Sequence, residues 1–202
     1  MDEIHKSGMP LYHGSPRRLK ILRPRNLHGD PDVAEVIFAT PFREFALAYA
    51  GRKWGDRDLE QSAVAGRPPV TLREMRPGAF QAIFSGKRGF VYQVPSTPFQ
   101  RAAKRKCMAE VASFEPVVPL KVEVVEDVLQ AIQADPRVKL VSYDPQAPET
   151  LAAVRRSIRR MRRMEDKGVG YLRWRLKGAP PEIVKLFRQE LWSMCGWVYL
   201  PI

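Results

Sequence analysis

The chain has 202 residues, 45% apolar and 28% charged, a composition typical of a folded globular protein rather than a disordered one. Its formal net charge of +12 favours polyanionic partners, with nucleic acid ahead of anionic lipid. No apolar run approaches the length that crosses a bilayer, and Met1–His5 does not resemble the start of a signal peptide. We therefore expect a cytoplasmic protein with no membrane partner.

The few cysteines and histidines bear on metal binding. Cys107 and Cys195 stand in unrelated contexts, and they indicate neither a disulfide framework nor a zinc site. None of the histidines, His5, His13 and His28, has a second ligand at metal-ligand spacing. The sequence thus predicts a reducing, intracellular location and no metal.

The first predicted elements are a strand, a second strand and a helix. Leu11–His13 is a short apolar strand pattern, and Val33–Ala39 is a second run of strand length. An amphipathic helix is predicted next, with Thr40 as its N-cap, Pro41 at its first position and its end near Gly51.

The middle of the chain is predicted to be rich in strands. Residues 52–68 are charged and without a regular pattern, which predicts a loop. Strand patterns separated by Gly, Pro and Ser follow at Val70–Met75, Ala79–Phe84, Phe90–Val94, Ala109–Phe114 and Leu120–Val125. A short helix is predicted to begin at Asp127 or its neighbour and to run to Ala134, and a last strand is predicted at Val138–Tyr143. Strands clustered after an early helix indicate an α+β fold for residues 1–145.

The last part of the chain is basic and helical. Residues 146–202 hold 12 Lys and Arg against 5 Asp and Glu. Thr150–Glu165 predicts a helix with apolar residues along one side. The rest of its surface carries six arginines: Arg155, Arg156, Arg159, Arg160, Arg162 and Arg163. A second helix is predicted from Pro180 to Met194, so we interpret residues 146–202 as a basic helical extension.

Two short segments suggest a ligand pocket. Tyr12-His13-Gly14-Ser15 ends the first strand, and Val36–Thr40 leads from the second strand into the helix. An imidazole can hydrogen-bond a hydroxyl, and a glycine backbone can approach a planar ligand because it has no Cβ. Such a pocket suits a nicotinamide riboside.

These segments resemble motifs of a known family. Leu11–Ser15 resembles the histidine-glycine-serine motif of the poly(ADP-ribose) polymerase branch of the ADP-ribosyltransferase fold. Ile37–Thr40, with Ala46 and Tyr49 in the following helix, is similar to the second motif of that branch. Glu110, in the strand pattern before Val117-Val118-Pro119, resembles the glutamate of the third motif. The resemblance spans residues 11–125 and implies a split, mostly antiparallel sheet and NAD as the substrate.

The resemblance implies a role for each matched residue. His13 would hydrogen-bond the 2′-hydroxyl of the nicotinamide ribose, and the Gly14 backbone would hold the carboxamide. Tyr49, or Phe45 one turn earlier, would stack on the nicotinamide ring, and Glu110 would be the catalytic carboxylate. The implied cofactor-binding set is His13, Gly14, Ser15, Phe38, Thr40, Phe45 and Tyr49. A buried carboxylate is suited to this reaction because it stabilises the positive charge that develops on the ribose.

One position departs from the family pattern. Ile37 stands where the family has a strand tyrosine, and an isoleucine cannot donate a hydrogen bond. Phe38, Thr40 or Tyr92 is a possible substitute. Other glutamates also compete with Glu110 for the catalytic role: Glu74, Glu115 and Glu123.

The acceptor and the arginines leave alternatives open. The net charge favours nucleic acid, or a protein associated with it, as the acceptor of ADP-ribose. Like charges at i,i+4 destabilise a helix, so a bound polyanion would reduce the repulsion among these arginines. The alternative is a catalytically degenerate ADP-ribosyltransferase-like scaffold that binds nucleic acid without catalysis. A third possibility uses a nucleic-acid phosphate as acceptor, as RNA 2′-phosphotransferases do, but the sequence does not identify the basic pocket residues it needs.

Overall fold

The computed structural model describes residues 9–25, 35–52, 58–64, 67–101, 110–162, 176 and 181–195. These residues fall into two compact units. The first lies within Met1–Asp56, Glu60–Arg73 and Phe80–Val141, and the second within Arg57–Leu59, Glu74–Ala79 and Ser142–Ile202. The α+β class predicted from the sequence is confirmed, since helices accompany antiparallel and mixed sheets.

The secondary structure is numbered here in chain order. The strands are β1 (Leu11–Ser15), β2 (Ile37–Ala39), β3 (Leu59–Val64), β4 (Arg67–Glu74), β5 (Gly89–Val94), β6 (Gln100–Arg101), β7 (Val111–Ser113), β8 (Lys121–Val125) and β9 (Val138–Val141). The helices are α1 (Arg43–Ala50), α2 (Ala79–Phe84), α3 (Val128–Ala134), α4 (Pro148–Arg162) and α5 (Pro181–Cys195).

Two antiparallel sheets of the first unit meet along a short seam. One sheet has the strand order β1-β5-β8 and the other β2-β7-β6. They are joined where the Tyr12 amide donates to the Thr40 carbonyl at 2.7 Å and the Thr40 amide donates to the Tyr12 carbonyl at 2.9 Å. Beyond this single bridge β1 and β2 form no continuous ladder, so a cleft opens between them.

A third sheet contains a parallel pair. Its order is β3-β4-β9, and β4 runs parallel to β9 with Val70 opposite Val138 and Val141 opposite Arg73. A parallel pair needs a crossover connection, and the chain between β4 and β9 supplies a long one. The sheet content of the protein is therefore mixed rather than purely antiparallel.

The core of the first unit lies on both faces of the β1-β5-β8 sheet. On one face α1 packs closely against β1 and β5. Phe45 and Leu47 of this helix are almost completely buried. The other face contributes to a cluster of buried apolar side chains: Leu11, Leu22, Ile37, Ala39, Phe90, Tyr92, Val94, Phe99, Val111 and Val117. Residues of both β1 and β2 belong to this cluster, so the core holds the two walls of the cleft in place.

The second unit has a core of its own between α4 and α5. Its buried residues are Val154, Ile158, Leu176, Ile183, Phe187 and Leu191. Val154 and Ile158 belong to the predicted apolar stripe of the arginine helix, whose C-terminal part lies outside the described residues. The buried carboxylate of Glu74 accepts a hydrogen bond from the Tyr143 amide at 3.2 Å within the same unit.

Two of the predicted elements are wrong. Ala79–Phe84 is the helix α2 rather than a strand, because its buried residues, Ala79, Phe80, Ile83 and Phe84, follow helical spacing. Gly78, with φ of 71°, provides the turn that precedes it. The predicted loop at residues 52–68 contains the strand β3, a mostly uncharged segment that pairs with the adjacent β4. Most of the charges in this stretch precede the strand, so the loop prediction came from its first part.

The start of α1 also differs from the prediction. Phe42, rather than Thr40, occupies the N-cap position, and no side chain caps the helix. Thr40 is held in the seam by its backbone, and its hydroxyl accepts the Phe42 amide at 3.3 Å. The helix starts later than predicted because the backbone of Thr40 is paired with Tyr12 in the seam and is not free to begin the helix.

The units divide between Val141 and Ser142, whereas the sequence places a domain boundary after residue 145. Within the described residues, no helix is long and apolar enough to cross a membrane.

Candidate functional site

The cleft at the seam holds a pocket of about 290 Å³. Its walls come from β1, β2, α1, the segment after β1 and the residue before β7, all within the first unit. Seven residues predicted from the sequence line it: His13, Gly14, Ser15, Phe38, Thr40, Tyr49 and Glu110. The pocket thus brings together segments that are far apart in the chain.

His13 lies in the middle of β1, and its ring spans the cleft toward β2. Its Nδ1–H donates to the Phe38 carbonyl at 2.8 Å. A carbonyl can only accept, so the proton of the neutral ring is on Nδ1 and the lone pair is on Nε2. The ring is therefore prepared to accept a hydrogen bond at Nε2, for example from a hydroxyl of a bound ligand.

The surroundings of His13 keep its ring neutral. Burial lowers the pKa of His13 below its ordinary value of 6.5, and the positive charge of Arg25 lowers it further. The hydrogen bond to Phe38 acts in the opposite direction, but burial is the largest effect. The neutral form with an acceptor Nε2 is consequently the form present at neutral pH.

The lowered pKa of His13 makes stability depend on pH. The folded state favours the neutral ring, so this stabilisation is present above pH 6.5 and is lost as the pH falls through the folded-state pKa. We expect the free energy of unfolding of the wild type to fall more on acidification than that of His13→Asn, whose amide can still donate to Phe38. Denaturant titrations at several pH values measure the difference, and equal slopes in the two proteins would contradict it.

Gly14 is required for the packing of α1 on β1. A Cβ at this position would overlap the Ala46 carbonyl group, lying 2.8 Å from its carbon, and would be 3.0 Å from the Ala50 amide nitrogen. The Gly14 backbone also lines the pocket, but the missing side chain serves helix packing. Next to it, the Ser15 hydroxyl accepts the Arg17 amide at 3.2 Å and so shapes the turn that follows β1.

The two aromatic residues proposed for ring stacking have different environments. Tyr49 lines the pocket, and the Arg52 guanidinium lies 4.3 Å from its ring centroid, which covers one face. Phe45 is almost completely buried, lies 6.0 Å from the Phe42 ring and does not line the pocket. Of the two, Tyr49 is therefore the residue placed to meet a ligand.

Glu110 also lines the pocket. It directly precedes β7, one position beyond the pairing of Ala39 with Val111, and only 7% of it is exposed. The competing glutamates lie elsewhere: Glu115 is exposed, and Glu123 forms an ion pair with Arg43. Glu110 and His13 therefore line the same pocket, while the competitors do not line it.

Ile37 stands where the motif resemblance leads us to expect a tyrosine. Ile37 is buried and lines the pocket with apolar surface. The Tyr92 hydroxyl donates to the Arg17 carbonyl at 2.9 Å and accepts the Leu19 amide at 2.7 Å, and Tyr92 itself does not line the pocket. Of the suggested substitutes, Phe38 and Thr40 line the pocket and Tyr92 does not.

Sequence reasoning missed the arginines of the pocket. Arg17, Arg23, Arg25 and Arg52 all line it. A basic stretch after the first strand was visible in the sequence, but its approach to the cleft depends on pairings with distant residues. These arginines are the kind of basic pocket residue that the sequence did not identify.

The arginine helix α4 belongs to the second unit. Arg155 forms a two-point ion pair with Glu190, at 2.6 and 3.1 Å, so one of its predicted uncompensated charges is balanced within the unit. The side chains of Arg156 and Arg159 are exposed. The side chains of Arg160 and Arg162, and the whole of Arg163, lie outside the described residues.

Comparisons with protein-family models, curated proteins and solved structures gave no match for this chain.

Proposed function

We propose that the protein is an NAD-dependent ADP-ribosyltransferase that releases nicotinamide and transfers ADP-ribose to a nucleic acid or to a protein associated with it. One observation carries the proposal: His13, with its acceptor Nε2, and the buried Glu110 line one pocket at the seam of two antiparallel sheets. The seam also supports an ADP-ribosyltransferase-like split sheet as the fold of residues 1–145, with residues 146–202 as its basic helical extension.

The reaction follows from the chemistry of these side chains. A ribose hydroxyl donates to His13 Nε2, which orients the sugar, and Tyr49 offers a ring for the nicotinamide. The bond between the ribose carbon and the nicotinamide nitrogen breaks, and its electron pair leaves with neutral nicotinamide. Glu110 stabilises the positive charge left on the ribose until a nucleophile of the acceptor forms the new bond and releases its proton to solvent. Fixing the sugar and the acceptor in line provides much of the remaining acceleration.

The acceptor is proposed from charge. The net charge of +12 and the exposed Arg156 and Arg159 on α4 favour a polyanion, which such residues bind in a salt-dependent, sequence-independent way. Nucleic acid is the polyanion that this charge most favours in a cell.

A second candidate function is supported by Ile37. Its buried apolar side chain stands where the family tyrosine is expected, and the Tyr92 hydroxyl is engaged elsewhere. A pocket can keep its shape after losing its reaction. On this view the chain is a degenerate ADP-ribosyltransferase-like scaffold that binds nucleic acid without catalysis.

The deciding experiment is an assay of nicotinamide release from NAD by the purified protein, with no polymer, with DNA and with RNA. We expect release by the wild type and stimulation by the polymer that acts as acceptor. Transfer is verified by following label from the adenine part of NAD onto that polymer. Absence of release under every condition, together with salt-sensitive nucleic-acid binding, would favour the scaffold instead.

A further inference from the structure

The segment that follows β1 forms a basic wall of the pocket. We call residues 16–25 the strap. Three of its arginines, Arg17, Arg23 and Arg25, line the pocket and have exposed side chains. Within the part of the chain that the structure describes, no carboxylate pairs with any of the three. Three positive charges along one wall of a pocket attract an anion.

The strap is fixed to the sheet at its start by Tyr92. The buried Tyr92 hydroxyl donates to the Arg17 carbonyl at 2.9 Å and accepts the Leu19 amide at 2.7 Å. Because Tyr92 is completely buried in β5, this anchor ties the strap backbone to the core. The backbone that carries Arg17 is therefore held in place.

Two backbone bridges fix the rest of the strap. Leu22 and Val117 exchange a pair of hydrogen bonds, both 2.9 Å long, next to Arg23. Arg25 and Val36 exchange another pair, of 3.2 and 3.1 Å. Each pocket arginine of the strap thus lies at or beside an anchored backbone position. Groups held in place before binding lose less conformational freedom when a ligand arrives, which favours affinity.

The size of the pocket decides which part of a ligand meets these arginines. Its volume of about 290 Å³ lies at the low end of the range for sites that enclose a small ligand, about 300–1,000 Å³. A whole dinucleotide therefore cannot be enclosed. With the nicotinamide ribose between His13 and Glu110, the diphosphate on the same sugar has to leave through the opening. The strap begins directly after Ser15, the last residue of β1, and its arginines line the same pocket.

We propose that Arg17, Arg23 and Arg25 form a subsite for the diphosphate of the dinucleotide. The guanidinium groups donate to the phosphate oxygens in the two-point geometry that arginine and phosphate favour. That the phosphate groups belong to NAD rests on the proposed function. The preference of the three arginines for phosphate groups does not depend on it.

The test compares two pairs of substitutions in the strap. R17Q/R25Q removes two charges that line the pocket, and R18Q/K20Q removes two exposed charges that do not line it. We expect R17Q/R25Q to weaken ADP-ribose binding on the order of 100-fold in calorimetric titrations, because two charge-assisted contacts are lost. Nicotinamide riboside, which lacks the diphosphate, should bind R17Q/R25Q and wild type equally, and R18Q/K20Q should bind ADP-ribose as the wild type does. R17K/R25K keeps the charges and should recover part of the affinity.

Other results would overturn the subsite. It fails if ADP-ribose binds R17Q/R25Q as tightly as the wild type, or if the wild type does not bind ADP-ribose at millimolar concentration. It also fails if R17Q/R25Q loses affinity for an oligonucleotide with a terminal phosphate but not for ADP-ribose, since the arginines then serve nucleic acid.

The test separates this proposal from the proposed function. Weakened ADP-ribose binding by R17Q/R25Q, in a protein that never releases nicotinamide, would uphold the subsite and reject the transferase. Nicotinamide release with an unchanged KM for NAD in R17Q/R25Q would uphold the transferase and reject the subsite.

Discussion

Replacing Glu110 by glutamine is expected to lower nicotinamide release by about 100-fold or more, which is the usual effect of losing one preorganised charge-stabilising group. Glutamine has the shape of glutamate but no negative charge, so it cannot balance the positive charge that develops on the ribose. Initial rates of nicotinamide formation at saturating NAD measure the loss. Because the change acts on the transition state, kcat should fall much more than the affinity for NAD.

A matched substitution makes this result specific. Glu115→Gln is the same chemical change on an exposed residue just beyond β7, outside the pocket. It should leave both activity and folding unchanged. If Glu110→Gln and Glu115→Gln retain the same activity while both remain folded, Glu110 is not the catalytic carboxylate.

Replacing Gly14 by alanine is expected to destabilise the first unit by about 3 kcal/mol, at the upper end of the usual cost of overpacking. The new Cβ would overlap the Ala46 carbonyl group and would lie 3.0 Å from the Ala50 amide nitrogen. Both atoms belong to the backbone of α1, so a change of side-chain rotamer cannot relieve the clash. The whole helix has to move away from β1. Urea titration followed by circular dichroism measures the loss.

Gly86→Ala provides the comparison for this effect. Gly86 has a φ of 64°, and a Cβ there would meet no atom within 4 Å. This substitution should cost only about 1 kcal/mol, the penalty for a left-handed backbone with a side chain. If Gly14→Ala is no more destabilising than Gly86→Ala, the close packing of α1 on β1 does not limit stability.

Elements with strong local signals were predictable from the sequence. The helix α3 begins after its N-cap Asp127, whose carboxylate accepts the Gln130 amide at 3.0 Å, and it ends at Ala134 as predicted. β5 differs from its predicted range by one residue. A short apolar run between turn residues is a strong local indication of a buried strand. In these segments the local preference and the tertiary environment agree.

Elements whose conformation depends on tertiary pairing more than on a local pattern were not predictable. β3 has little apolar alternation of its own and becomes a strand through its pairing with the adjacent β4. α2 is six residues long, and its apolar pattern is too short to separate a helix from a strand. Thr40 has the chemistry of an N-cap but is held in the seam by Tyr12.

The candidate site shows the same division. His13 and Glu110 were found because each stands in a motif with a recognisable neighbourhood. Arg23 and Arg25 were missed because they reach the pocket only through the bridges of the strap to Val117 and Val36. A single sequence contains no local sign of such bridges.

The anchors of the strap also make ligand occupancy observable without any assay of chemistry. Its three anchoring amide protons, those of Leu19, Leu22 and Arg25, exchange with solvent only when the strap leaves the sheet. A ligand held by the strap stabilises the attached state, so exchange at these three positions slows as the pocket fills. Nuclear magnetic resonance can follow each of these amide signals separately, so their exchange rates can be used to screen nucleotides for binding.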